Sequence, residues 1–155
     1  MIKNYTTQIS ALKSIGEIQG KLIARGARSI LLNYDENKEP ESISFITPTK
    51  QGEIAFRLPA NVSAVERLLF LARDPSYRRG DTRYQEGINI KLHAQAIKTA
   101  WRIIKDWIDA QMAIIETEMV TLEQVFLPYM LVGDKQATLY EVMQSRGFLL
   151  TEGRG

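Results

Sequence analysis

The sequence predicts an α+β fold: a small, mostly antiparallel sheet packed by one N-terminal helix and about four C-terminal helices, one of them long and central. Three observations carry that expectation. Residues 28–59 read as three short alternating segments separated by turn-forming residues. An apolar pattern of helical period precedes them, and several follow. Among the latter, His93–Met119 holds apolar side chains three or four apart for most of its length.

Tyr5–Ile9 alternates weakly and is read as an optional fourth, N-terminal strand. Ser10 is the expected N-cap of a helix whose stripe is Leu12, Ile15, Ile18, Leu22 and Ile23, with Gly26 as its left-handed stop. Gly16 and Gly20 fall inside it, where each costs about 1 kcal/mol against alanine. Close approach to a sheet is the expected compensation. The meander follows as "RSILLNYD", "ESISFITP" and "EIAFRLP". Ile43, Phe45 and Thr47 share one face of its second strand, and Ile54, Phe56 and Leu58 one face of the third. Pro59 closes it.

"NVSAVERLLFLARD" is the second helix, with Ser63 and Glu66 at capping-box spacing and Val62, Val65, Leu68, Leu69 and Leu71 as its apolar side. The polar loop Arg73–Glu86 intervenes. The long helix then carries two adjacent stripes. One is Ile97, Trp101, Ile104, Ile108, Met112 and Ile115. The other is Ala96, Ala100, Ile103, Trp107 and Ile114. Arg102 with Asp106, and Lys105 with Asp109, are spaced for pairs along one edge. Thr121 with Gln124 and Thr138 with Glu141 repeat the capping-box spacing, so two more helices begin there. Pro128 kinks or ends the first, and Gly147 stops the second.

Length and composition bound the rest. The 155 residues are expected to form one domain, 1–155, with helix and meander over 1–59 and a helical part over 60–155. Twenty basic and eighteen acidic side chains leave a net charge of +2, too balanced to signal nucleic acid by itself. The chain contains no cysteine, which removes disulfides, thiolate catalysis and cysteine-ligated metals. Neither a leader nor a membrane span is recognisable, so a cytoplasmic protein without membrane contact is expected.

Catalytic motifs are missing, and the reading leans to a non-enzymatic protein without a cofactor. His93, the only histidine, sits one turn before Ile97 on the apolar stripe. It is read as a partly buried residue with a satisfied nitrogen. Asp106 and Asp109 are read as a salt-bridged face in preference to a magnesium site. Trp101 and Trp107 point about 120° apart around the helix and are read as core aromatics. The feature suited to a ligand is the loop. Arg73, Arg78, Arg79 and Arg83 interleave there with Tyr77 and Tyr84, a combination that can grip phosphate and stack on a base. Asp74, Asp81 and Glu86 reduce its net charge to +1, so internal ion pairing is the competing reading. Arg57 and Arg67 extend the basic surface if they share its side.

"SIGEIQGKLIARGAR", "IAFRLPA", "AWRIIKDWIDAQMAIIE", "VFLPYMLV" and "TLYE", in this order, resemble a family of small uncharacterised proteins of bacteriophages, prophages and other mobile elements. The resemblance covers nearly the whole chain and is most specific over Ala100–Glu116 and "FLPYML". It implies an accessory product acting inside a bacterial cell and supplies no catalytic residue. Two readings stand: a module that binds nucleic acid or a nucleotide through the Arg/Tyr loop, or a protein-interaction or inhibitor module that antagonises a host defence. The second would use "VFLPYMLV" as its contact surface, in a complex with a host protein or in a homo-oligomer.

Overall fold

The computed structural model describes residues 2–73, 90–134 and 136–148. Its elements, in chain order, are α1 (Ala11–Ala24), β1 (Ser29–Tyr34), β2 (Pro40–Thr49), β3 (Gly52–Pro59), α2 (Val62–Arg73) and α3 (Ile90–Glu116). Then come α4 (Leu122–Phe126), a single 3-10 turn (Leu127–Tyr129), β4 (Leu131–Val132), β5 (Ala137–Thr138) and α5 (Leu139–Ser145). The fold is α+β, as the patterning implies. The chain divides into two compact units, residues 1–21 with 60–110 and residues 22–59 with 111–155.

In the first unit, Tyr5–Ile9 is not a strand. Residues 3–6 form a turn with Asn4 at φ 63°, and one carbonyl within it and one just after it accept from side chains of α3. Thr99 Oγ1 donates to the Asn4 carbonyl at 2.9 Å, and Gln95 Nε2 to the Thr7 carbonyl at 3.0 Å. Backbone groups satisfied this way need no sheet ladder. Ser10 caps α1, its Oγ accepting from the Lys13 amide at 3.1 Å. Ser14, Ile15 and Ile18 are buried along α1, but Leu12 is 71% exposed. The N-cap of α2 is Asn61, whose Oδ1 accepts from the Ala64 amide and the Ser63 hydroxyl. Ser63 and Glu66 therefore form no capping box. Glu66 is instead buried on the same face as Leu69 and Phe70, while Leu68 is exposed. Leu69 and Phe70 pack with Leu92 and Ala96 of α3, joined by Ile2, Val62 and Val65. Thr99, Ala100, Trp101 and Ile108 continue the buried stripe of α3, and Trp107 is half-buried.

The polar edge of α3 pairs differently from its sequence spacing. Lys105 does meet Asp109, at 2.5 Å. Arg102 reaches across to Glu17 at 2.8 Å and to Ser14 Oγ at 3.3 Å instead of to Asp106. Asp106 accepts from Asn4 Nδ2 at 2.8 Å and lies 3.5 Å from Lys3. A side chain on another element can offer straighter geometry than a neighbour along one helix, and here it wins.

In the second unit the sheet runs β1-β2-β3, antiparallel throughout. Its register aligns Ile30, Phe45 and Phe56 across one face, and Leu32, Ile43 and Leu58 beside them. Phe45 and Phe56 stack at 5.1 Å, and Phe126 of α4 meets both edge-on at 5.8 and 6.2 Å. All three are fully buried. Asp35 Oδ1 closes the first turn by accepting from the Asn37 and Glu39 amides, and Gly52 at φ 114° closes the second. Gly26, at φ 98°, ends α1 as expected, but Ile23 is 62% exposed. No described neighbour stands within 4 Å of a Cβ built on Gly16 or Gly20, so among the described residues neither glycine serves a close approach.

Both C-terminal capping boxes form. Thr121 and Gln124 exchange bonds, as do Thr138 and Glu141. "VFLPYMLV" is not one kinked helix. Pro128 lacks an amide proton, so the α-helical ladder gives way to the 3-10 turn. The chain then bridges Met130 to Phe56 and pairs β4 with β5.

Candidate functional site

Of the loop residues that suit a ligand, Arg73 falls within the described part of the chain. Tyr77, Arg78, Arg79, Arg83 and Tyr84 lie outside the described residues. Arg73 is the last residue of α2 and exposed. It lines a cleft of about 330 Å³ with Tyr5, Leu69, Ala72, Lys91, Leu92 and Gln95. That volume is near the lower end of small-molecule sites, about 300–1,000 Å³.

The cleft is built by elements already described. The α2 face that buries Leu69 turns Ala72 and Arg73 to its rim. The first turn of α3 supplies Lys91 and Leu92. Gln95 is held one turn on by its bonds to Thr7 and to Thr99 Oγ1, the latter at 3.1 Å. The N-terminal turn brings Tyr5, 41% exposed. The walls are mostly apolar, with two cations and no carboxylate among the described lining residues. Neither Arg73 nor Lys91 forms an ion pair among the described residues. Lys91 also stands at the electropositive end of a helix with no acid in its first turn. An anion is the natural complement to that arrangement.

Between the same two helices, His93 Nδ1 of α3 makes a short contact with Glu66 Oε1 of α2, the carboxylate almost fully buried and the imidazole about one third exposed. The histidine is thus partly buried with a bonded nitrogen, as its stripe position implies. The carboxylate was the less visible half. Its signal is an acid placed three and four residues before Leu69 and Phe70, on the face that must be buried. Lys91, Tyr5 and Gln95 were likewise not distinguishable by motif, because α3 and the distant N-terminal turn bring them together.

The remaining candidates are committed elsewhere. Asp106 and Asp109 are engaged by Lys3, Asn4, Lys21 and Lys105. No group of three or more acidic or histidine side chains able to hold a metal ion occurs among the described residues. Burial raises the affinity of Asp106 for its proton, but the Asn4 hydrogen bond and the Lys3 and Lys105 charges outweigh it and hold its pKa low. Glu17 is lowered chiefly by its hydrogen bond from Arg102. Lys105 is raised by its bond to Asp109. Arg57 donates to Glu141 Oε1 at 3.1 Å and to the Gln136 carbonyl at 3.3 Å. Glu141 is lowered first by the Thr138 backbone amide of its capping box. Arg57 therefore braces the C-terminal hairpin. "VFLPYMLV" spends Phe126 and Met130 on the sheet, leaving Leu127 as its exposed large apolar side chain.

A shallow trough of about 590 Å³ also crosses the outer sheet face, lined by residues including Asn33, Ser42, Ser44 and Arg57. Asn33 Nδ2 donates to both serine hydroxyls, at 2.9 and 3.3 Å. Asn33 and the two serines thus answer one another, and Arg57 is held by Glu141. No helix among the described residues is long and apolar enough to cross a membrane. Compared with protein-family models, curated proteins and solved structures, the chain finds no match in any of the three.

Proposed function

We propose that this protein is a non-enzymatic binding module for a phosphate-bearing ligand, a nucleotide or nucleic acid, gripped by Arg73 and Lys91 with the Arg/Tyr segment between them. The observation that carries the reading is the pairing of two exposed cations, both without an ion pair among the described residues, on one apolar cleft beside Tyr5. Arginine and lysine draw phosphate, an aromatic ring and apolar walls accept a base, and the α3 N-terminus favours the same charge. Arg78, Arg79, Arg83, Tyr77 and Tyr84 belong to the proposal because they occupy the chain between the two cations. The family resemblance supplies its setting, an accessory protein of a mobile element acting in the bacterial cytoplasm.

The test is a thermal-shift screen with nucleotides, cyclic dinucleotides and short oligonucleotides at two salt concentrations. A ligand that prefers the folded chain must raise the midpoint. The expected result is a shift that weakens with salt and disappears in Arg73→Ala/Lys91→Ala and in Arg78→Ala/Arg79→Ala. A shift undiminished in both double variants removes the cleft and the loop from the reading.

A further inference from the structure

The sheet of the second unit has two edges, and they are treated differently. Beyond β3, Phe56 is bridged to Met130, and the chain continues into the β4–β5 hairpin. Beyond β1, no hydrogen bond from any described residue reaches the outer backbone edge. An unpaired strand edge is a template for another strand, and chains normally guard it with lysine, proline or an inward charge. Ser29–Tyr34 contains none of these. The one irregularity, a register shift at Asn33/Tyr34, stands at the end of the strand and leaves Ser29–Asn33 regular.

That regular stretch complements itself. Its middle residue is Leu31, 62% exposed on the outer sheet face that also carries Asn33, Ser42 and Ser44. Antiparallel pairing about a two-fold axis perpendicular to the sheet keeps each face continuous, so opposed residues must share a face. Centred on Leu31, it places Leu31 against Leu31 of the second copy, Ile30 against Leu32, and Ser29 against Asn33. Apolar meets apolar and polar meets polar at every rung. The ends agree as well. Arg28 stands before the strand and Asp35 and Glu36 after it, so antiparallel pairing brings each basic end alongside an acidic one. Arg28 already lies 3.1 Å from Glu53, yet two thirds of its side chain is open to the added contact.

From this we infer that the protein self-associates through β1, two copies forming a continuous six-stranded antiparallel sheet. The occupant of the edge is a second copy of this chain, because both the rung-by-rung match and the end charges are properties of the strand with itself.

The test uses the full chain. Light scattering after size exclusion should give twice the 17.6 kDa chain mass. Leu31→Lys, a change at an exposed side chain, should give the single-chain mass with an unaltered circular dichroism spectrum. Since the chain contains no cysteine, Leu31→Cys offers an independent readout. Directly opposed residues of neighbouring strands lie within disulfide reach, about 4.4–6.8 Å between Cα atoms. Mild oxidation should therefore link Leu31→Cys into a covalent dimer while Leu12→Cys, also exposed, remains single. A monomeric wild type, a Leu31→Lys variant still at double mass, or linkage at position 12 as fast as at 31 would each overturn the assignment.

Discussion

At the level of single residues, burial follows the apolar pattern closely and departs from it where polar groups choose their contacts. Phe45, Phe56, Trp101 and Ile108 are fully buried, and their sequence spacing announces it. Leu12, Ile23 and Leu68 obey the same helical spacing but are exposed, because a period fixes direction around an axis and not how far a covering neighbour extends. Glu66 is the reverse case, a carboxylate in the interior of its unit held by the single imidazole of the chain. A buried carboxylate that loses a bonded group keeps its desolvation cost. His93→Ala is therefore expected to lower unfolding stability by about 2 kcal/mol, the scale of a hydrogen bond to a charged group. Urea denaturation measures it, and an unchanged midpoint would mean that the imidazole contributes nothing to holding Glu66.

Within elements, most local chemistry between residues three or four apart was legible. The two C-terminal capping boxes, the Ser10 cap and the Gly26 stop all form as spaced. Ser63 and Glu66 have the same spacing and fail, since Asn61 precedes them with a better-placed acceptor and the glutamate is drawn inward. The β4–β5 hairpin was not legible: two-residue strands are too short to show alternation. The glycines separate local strain from packing. Gly16 lies mid-helix with no described neighbour where a methyl would go, so Gly16→Ala is expected to add about 1 kcal/mol of stability. Gly26 sits at φ 98°, disfavoured for any L side chain, so Gly26→Ala should cost about 1–2 kcal/mol. Thermal denaturation of the two variants should move the midpoint in opposite directions. Movement of both the same way would show that backbone conformation does not govern the difference.

For the molecule as a whole, the α+β class and element order were readable because each element carries its own period. The cleft was not, since Tyr5, Arg73 and Lys91 come from three separate segments. Nor was the choice of Glu17 by Arg102, which depends on tertiary placement. The ion pairs so formed set the response to pH. Glu17, Asp106 and Glu141 bind their protons less readily when folded than their ordinary values of 4.5, 3.8 and 4.5. Their contribution is complete above those values and is lost as pH falls through the lower folded ones. Lys105 is shifted the other way, so its contribution is complete below its ordinary 10.5 and is lost as pH rises through the folded value. Thermal midpoints should thus hold level at neutral pH and drop on the acid side, with the drop reduced in Glu17→Gln; an acid limb unaffected by that change would uncouple Glu17 from it. One last consequence concerns the indoles. Trp101 is wholly enclosed and Trp107 partly open, and both stand on α3. The intrinsic fluorescence of the native protein accordingly divides into one emitter shielded from dissolved acrylamide and one within its reach, and their convergence would register the loosening of that helix.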